Sequence, residues 1–141
     1  MIYLDTNVFI YAIENHPVYG RHCKKALLDV EHGDLTGCAS ILVLVEIINV
    51  LTKINRILKR DGEKSLDIRK NLDAVLSLPI TWFDLNFIII KRASGYTLGA
   101  TGVDYVHVAT MEVNSITEIM SADTEFDKIP LIRRLDPKKY P

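Results

Sequence analysis

This sequence has no excess of basic charge, no uninterrupted long apolar run, no cysteine pair motif and no low-complexity stretch. Lysine and arginine number 17 against 18 acids, for a formal net charge of −1. The chain as a whole therefore has no attraction for phosphate backbones, and nucleic-acid binding would need a local basic patch or a bound metal. The apolar run from Cys38 to Leu51 is broken by Glu46 and Asn49 and falls short of the ~20 residues of a membrane span. Met1 to Tyr11 is apolar too, but it carries Asp5 and Asn7 and lacks a basic leader and a small-residue cleavage site, which argues against a secretory signal. The cysteines, Cys23 and Cys38, form no CxxC pair. They read as buried free thiols in a reducing compartment, so the expected location is the cytoplasm. Scarce glycine and proline exclude collagen-like and disordered classes.

Hydrophobic residues make up 48% of the 141, enough to bury one core, so residues 1–141 are expected to form a single domain. Short apolar strands are expected at Ile2 to Leu4, Leu35 to Ala39, Ile80 to Phe83, Glu118 to Ala122 and Ile132 to Leu135. Helical spacing runs through Val8 to Glu14, Tyr19 to His32, Ile41 to about Arg60, Ser65 to Leu78, Phe87 to Tyr96 and Asp104 to Asn114, with a short helical turn around Phe126. Ser40 suits an N-cap for the long helix, and Asp61-Gly62 ends it. Strands alternating with helices imply a parallel sheet covered on both faces.

In such sheets ligands bind at the carboxyl ends of the strands, where strand order reverses. Asp5 and Asp123 both follow an apolar strand directly. One such Asp is by default a cap or turn residue; two at matching positions weaken that default. Glu46 lies among Val43, Leu44, Val45, Ile47, Ile48 and Val50 on nearly every face of its helix. A carboxylate there needs a cation, a strong donor or a raised pKa, unless its face reaches solvent. Asp104 opens a helix, where capping and the helix dipole favour an acid whatever its further role. His107, one turn on, shares its face and reads as a packing or supporting residue, because no neighbour in sequence offers it a partner. Glu125 and Asp127 could extend an acidic cluster or simply face solvent.

These positions and their neighbours resemble the PIN-domain ribonucleases, and among them the VapC-type toxins of prokaryotic toxin–antitoxin pairs. Ile2-Tyr3-Leu4-Asp5-Thr6-Asn7-Val8-Phe9-Ile10-Tyr11 is similar to the family's first strand and its Asp-Thr-Asn turn. Ser40 followed by Glu46 matches the second element. Asp104-Tyr105-Val106-His107-Val108-Ala109-Thr110 and Ser121-Ala122-Asp123-Thr124-Glu125-Phe126-Asp127 match the third and fourth. The resemblance covers essentially the whole chain in order. It implies a three-layer α/β/α sandwich with about five parallel strands in the order 3-2-1-4-5, which would set Asp5 beside Asp123. It also implies that Asp5, Glu46, Asp104 and Asp123 are the catalytic, metal-holding acids, with Thr6, Asn7, Ser121, His107 and Asp127 in support. Asp127 matches a position that is acidic in only some members. The glycine usual near Leu131 is missing, and the segment Leu58 to Leu66 is this chain's own.

An all-carboxylate site suits Mg²⁺ or Mn²⁺, not structural zinc. The resemblance implies hydrolysis of RNA phosphodiesters, a homodimer and a VapB-type antitoxin, for which the apolar helices Val8 to Ile13 and Ile41 to Leu51 offer surfaces besides their core role. Lys53, Arg56, Lys59 and Arg60, with Lys91-Arg92 and Arg133-Arg134, either rim an RNA cleft or are ordinary solvated faces. The main rival is a PIN-like module that binds RNA or protein without cutting. A more distant one is a haloacid-dehalogenase-like phosphatase, whose chemistry wants an acid where this chain has Asn7.

Overall fold

Short strands that are apolar on both faces need cover on both faces, and this requirement sets the architecture. The computed structural model describes residues 1–141. Its strands are β1 (Ile2–Leu4), β2 (Gly37–Ser40), β3 (Thr81–Phe83), β4 (Glu118–Met120) and β5 (Arg133–Leu135). All pair in parallel, in the order β3-β2-β1-β4-β5, as the family resemblance implies.

Side-chain alternation along the strands divides the core in two. Leu4, Ala39 and Met120 point to one face. There they meet Val8 and Phe9 of α1 (Thr6–Ile13), Cys23, Ala26 and Val30 of α2 (Gly20–His32), Val43, Ile47 and Leu51 of α3 (Ile41–Arg60) and Val75 of α4 (Ile68–Leu76). Tyr3, Cys38 and Ile119 point to the other, against Val108 and Met111 of α6 (Gly102–Val113) and against Phe126 and Ile129. The remaining helix, α5 (Phe87–Ala93), packs Ile89 and Ala93 on Ala109 of α6. The result is the three-layer sandwich. Gly37 lets β2 pass close to β1: a Cβ there would lie 2.9 Å from the Leu4 side chain, which would have to shift.

Caps fix most element ends. Asp5 caps α1 by accepting from the Thr6 N–H, and Ser40 caps α3 by accepting from the Leu42 N–H. Several boundaries differ from the sequence expectation. Helix α4 starts at Ile68, not Ser65, because Asp67 caps it by accepting from the Lys70 N–H. The preceding Leu66 is instead clipped to α3: its N–H donates to Asn55 Oδ1 at 2.8 Å and its carbonyl accepts from Asn55 Nδ2 at 2.9 Å. Helix α5 stops at Ala93, short of Tyr96, where Ser94 Oγ bonds back to the Lys91 carbonyl and Gly95 follows. Helix α6 begins at Gly102, so Asp104 lies in its first turn and does not open it. The sheet holds β2 only from Gly37 and β4 only to Met120, which frees Ser121 and Ala122 to turn toward β1.

No helix is long and apolar enough to cross a membrane. Helix α1 gives its apolar face to the core, with Val8, Phe9, Ile10 and Ala12 buried, so it is not the free docking surface that its sequence allowed. On α3, Val45 and Ile48 are exposed.

Phe9 is fully buried and stacks near Trp82, with ring centroids 6.4 Å apart. Phe9→Ala is expected to lower unfolding free energy by about 3–5 kcal/mol, read as a fall in the urea midpoint. A loss below about 1 kcal/mol would mean that α1 does not pack on the sheet as described.

Candidate active site

Chain order sets where a site can form. From β1 the sheet grows one way through β2 to β3 and the other way through β4 to β5, so the strand order reverses between β1 and β4. The strand ends are stitched there, the Asp5 N–H donating to the Met120 carbonyl at 3.1 Å. Asp5 follows β1, Asp123 follows the turn after β4, Glu46 lies one turn into α3 and Asp104 lies in the first turn of α6. All four acids line one cleft of about 300 Å³, with Thr6, Asn7, Ile10, Tyr11 and Val50. Larger hollows of about 400 and 470 Å³ lie elsewhere on the surface, and neither gathers acids in this way.

Asp5 is 7% exposed and its carboxylate is tightly held. Oδ1 accepts from the Thr6 N–H at 2.8 Å, while Oδ2 accepts from Ser121 Oγ at 2.6 Å and Asn7 Nδ2 at 3.0 Å. Burial pushes its pKa above the ordinary carboxylate value, against the opposing pull of His107 and these donors. Asn7 is more than a turn residue. Its Nδ2 also donates to Ser121 Oγ and its Oδ1 accepts from the Ala122 N–H, so one amide clamps the end of β1 to the end of β4. Ser121 completes the clamp by accepting from the Asp123 N–H at 3.0 Å.

Glu46 is half-buried, with its side chain 28% exposed. The sequence placed apolar neighbours all round it, but the helix is amphipathic: Val43 and Ile47 face the core, Val45 and Ile48 face solvent. The strong donor that the carboxylate needed is present twice. Oε1 accepts from Thr6 Oγ1 at 2.9 Å and lies 2.5 Å from His107 Nε2, while Oε2 makes no hydrogen bond within the protein. His107 is 1% exposed, and its Nδ1 lies 2.5 Å from the Tyr3 hydroxyl. Burial alone would push the imidazole pKa down; Glu46, Asp5 and Asp104 outweigh it, and the net direction is up.

Asp104 accepts from Thr101 Oγ1 at 3.0 Å, and burial followed by the nearby Asp123 charge raises its pKa. Asp123 caps the 3-10 turn Thr124–Lys128 by accepting from the Glu125 N–H at 2.9 Å. The two outer acids are not in the cleft. Glu125 pairs with Lys128 at 2.7 Å. Asp127 takes Arg134 in a two-point ion pair, Nε to Oδ1 at 2.9 Å and Nη2 to Oδ2 at 3.1 Å. Any support from Asp127 is indirect, since the same guanidinium donates to the Ser121 carbonyl through Nη1.

The donors of the cleft are hard carboxylate oxygens, matching Mg²⁺ or Mn²⁺ chemistry. As placed, no three of these side chains converge closely enough to hold an ion. Asp104 spends one oxygen on the Thr101 hydroxyl, Asp123 spends one on a local cap, and Glu46 leans on Thr6 and His107. All four acids nonetheless line the same cleft.

The basic groups divide. Arg92 pairs with Glu112, Arg133 with Glu118, Arg134 with Asp127, and Arg60 lies 3.6 Å from Asp61. Lys53, Arg56 and Lys59 on α3 and Lys91 on α5 are exposed without an acidic partner. Sequence reasoning missed Tyr3 and Thr101. Tyr3 read as one more apolar strand residue, and Thr101 lay in a presumed loop.

No curated protein sequence matches the chain. Among solved structures it is similar to the Mycobacterium tuberculosis toxin VapC20, a Sarcin-Ricin loop cleaving toxin (TM-score 0.72, 16% identity, 100% of both chains covered). It is also similar to a toxin–antitoxin complex from Klebsiella pneumoniae (TM-score 0.65, 17% identity, 97% of this chain and 98% of that one). A third likeness is to VapBC2 from Rickettsia felis bound to a DNA fragment from their promoter (TM-score 0.64, 21% identity, 96% of this chain and 98% of that one). The PIN domain family model matches residues 2–131, spanning all four acids and four of the five strands, and the chain belongs to the PIN domain family.

Proposed function

We propose that this protein is a metal-dependent endoribonuclease, the toxin of a VapBC-type toxin–antitoxin pair acting in the cytoplasm. It hydrolyses RNA phosphodiesters to leave a 5′-phosphate and a 3′-hydroxyl. One observation carries the reading: four carboxylates from four separate segments line a single cleft at the switch point of a PIN sheet. The likeness to VapC20, a cleaving toxin, and to two toxin–antitoxin complexes supports the substrate class and the partner.

The acids Asp5, Glu46, Asp104 and Asp123 would hold Mg²⁺ or Mn²⁺. A divalent ion bound there polarises the scissile phosphate and lowers the pKa of the attacking water. The chain's own groups do the rest. Asn7 and Ser121 fix Asp5, so that one carboxylate enters the site already oriented. Glu46, anchored through Oε1, keeps Oε2 free to accept a hydrogen bond from the attacking water and to take its proton. Lys53, Arg56 and Lys59, without acidic partners, give the RNA backbone a cationic track along α3. Exposed Val45 and Ile48 on α3 give a homodimer or an antitoxin an apolar contact.

The phosphatase reading needs a general acid at Asn7, and Asn7 is an amide committed to Asp5, Ser121 and Ala122. The non-catalytic reading leaves buried Asp5 and half-buried Asp104 and Glu46 with a desolvation cost and no return.

Two outcomes test the proposal. Asp104→Asn is expected to lower the rate of single-stranded RNA cleavage by roughly 100-fold or more and to weaken Mn²⁺ binding measured by calorimetry, with EDTA abolishing wild-type cleavage. Equal cleavage by variant and wild type would remove Asp104 from the site. The second outcome concerns pH. Asp5 and Asp104 are raised above 3.8 and His107 above 6.5, so the folded, metal-free protein binds protons more tightly than the unfolded chain. The stability these groups contribute is complete below those values and is lost as pH rises through the folded ones. Without divalent ions the urea midpoint should fall as pH rises above 6.5, where the His107 contribution begins to be lost, and saturating Mg²⁺ should shrink that fall. A midpoint that rises over this range contradicts the assignment.

A further inference from the structure

Tyr3 has no place in the chemistry described so far, yet its hydroxyl occupies an unusual position. The residue is fully buried in β1, on the sheet face opposite Leu4, where a phenylalanine would pack as well. A hydroxyl there is costly unless every bond is made. The Tyr3 oxygen accepts from the Ser40 N–H at 3.2 Å, and Ser40 caps the same helix that carries Glu46. A phenol has a single proton, and the atom left to receive it is His107 Nδ1, 2.5 Å away.

That assignment fixes the ring. With Nδ1 accepting, Nε2 carries the hydrogen and donates to Glu46 Oε1 at 2.5 Å. The opposite tautomer would set the Nε2 lone pair against a carboxylate oxygen at that distance, and both it and the doubly protonated ring would leave the Tyr3 proton without an acceptor, so the relay belongs to the neutral imidazole.

We propose that Tyr3 is a positioning residue: through Ser40 N–H, Tyr3 Oη and His107 it holds His107 in the Nε2–H tautomer, which anchors Glu46 by one oxygen and presents the other to the cleft. The relay joins β1, the start of α3 and the middle of α6, so the Glu46 carboxylate is set by three elements rather than by its own helix. Its catalytic consequence rests on the nuclease reading above; the hydrogen-bond chain does not.

The test separates the two. In ¹⁵N-histidine spectra of the Mg²⁺-loaded protein recorded on the alkaline side of the His107 titration, the resonance pair lost in His107→Gln reports His107, and it should show a protonated Nε2 and an unprotonated Nδ1. Tyr3→Phe should turn that single tautomer into a mixture. In Mn²⁺ titrations His107→Leu should weaken binding by roughly 10- to 100-fold, whereas His107→Gln, which keeps an N–H near the Nε2 position, should lose less than about tenfold. On RNA, His107→Leu should lower kcat and leave KM unchanged. A wild-type Nδ1–H tautomer, a Tyr3→Phe spectrum identical to wild type, or equal Mn²⁺ losses in the Gln and Leu variants would each overturn the proposal. Wild type that keeps the tautomer but binds no Mn²⁺ would overturn the metal-site reading and leave the relay standing.

Discussion

Four carboxylates sharing one partly dehydrated cleft repel each other and lose water, and the rest of the molecule is arranged around that cost. Nothing in the core needs acids at Asp5 or Asp104, whose charged forms the fold disfavours. The protein offsets the penalty with donors: an amide and a hydroxyl on Asp5, a threonine and an imidazole on Glu46, a threonine on Asp104 and a backbone amide on Asp123. What these donors leave over is negative potential directed into one cleft, which is the condition for capturing a hard divalent ion.

The sheet supplies the geometry. Because strand order reverses between β1 and β4, two chain segments far apart in sequence end side by side, and the Asn7 amide locks them together. Asp127 serves this frame from outside the cleft, holding Arg134, which in turn holds the Ser121 carbonyl. Rigidity in the frame contrasts with the acids on its rim. Asp104, partly exposed, is held by a single side-chain partner, Thr101, whereas Glu46 is anchored through Oε1 by both Thr6 and His107 and leaves Oε2 without a partner.

The sheet order and the grouping of the four acids came from the family resemblance, while each acid stood at a local signal: a strand end for Asp5 and Asp123, an apolar helix for Glu46, a first turn for Asp104. Those signals act within a few residues. His107 had no legible partner because its partners lie 104 and 61 positions away, at Tyr3 and Glu46. Tyr3 was hidden for a different reason, since a buried tyrosine in a strand has the same pattern as a buried phenylalanine. The missed boundaries of α4 and α5 follow from competition between side chains and backbone. Asp67 and Asn55 claim the segment before Ile68, and Ser94 Oγ takes the Lys91 carbonyl at the end of α5. Glu46 was expected among buried apolar residues on nearly every face, but helical geometry turns Val45 and Ile48 to solvent.

The central claim is that Asp5, Glu46, Asp104 and Asp123 form one divalent-cation site, and a Mn²⁺ anomalous-difference map from soaked crystals tests it most directly. The account predicts a peak inside the cleft at bonding distance from oxygens of at least two of the four carboxylates. Manganese seated elsewhere, with the cleft empty at a concentration that saturates binding in solution, would contradict it.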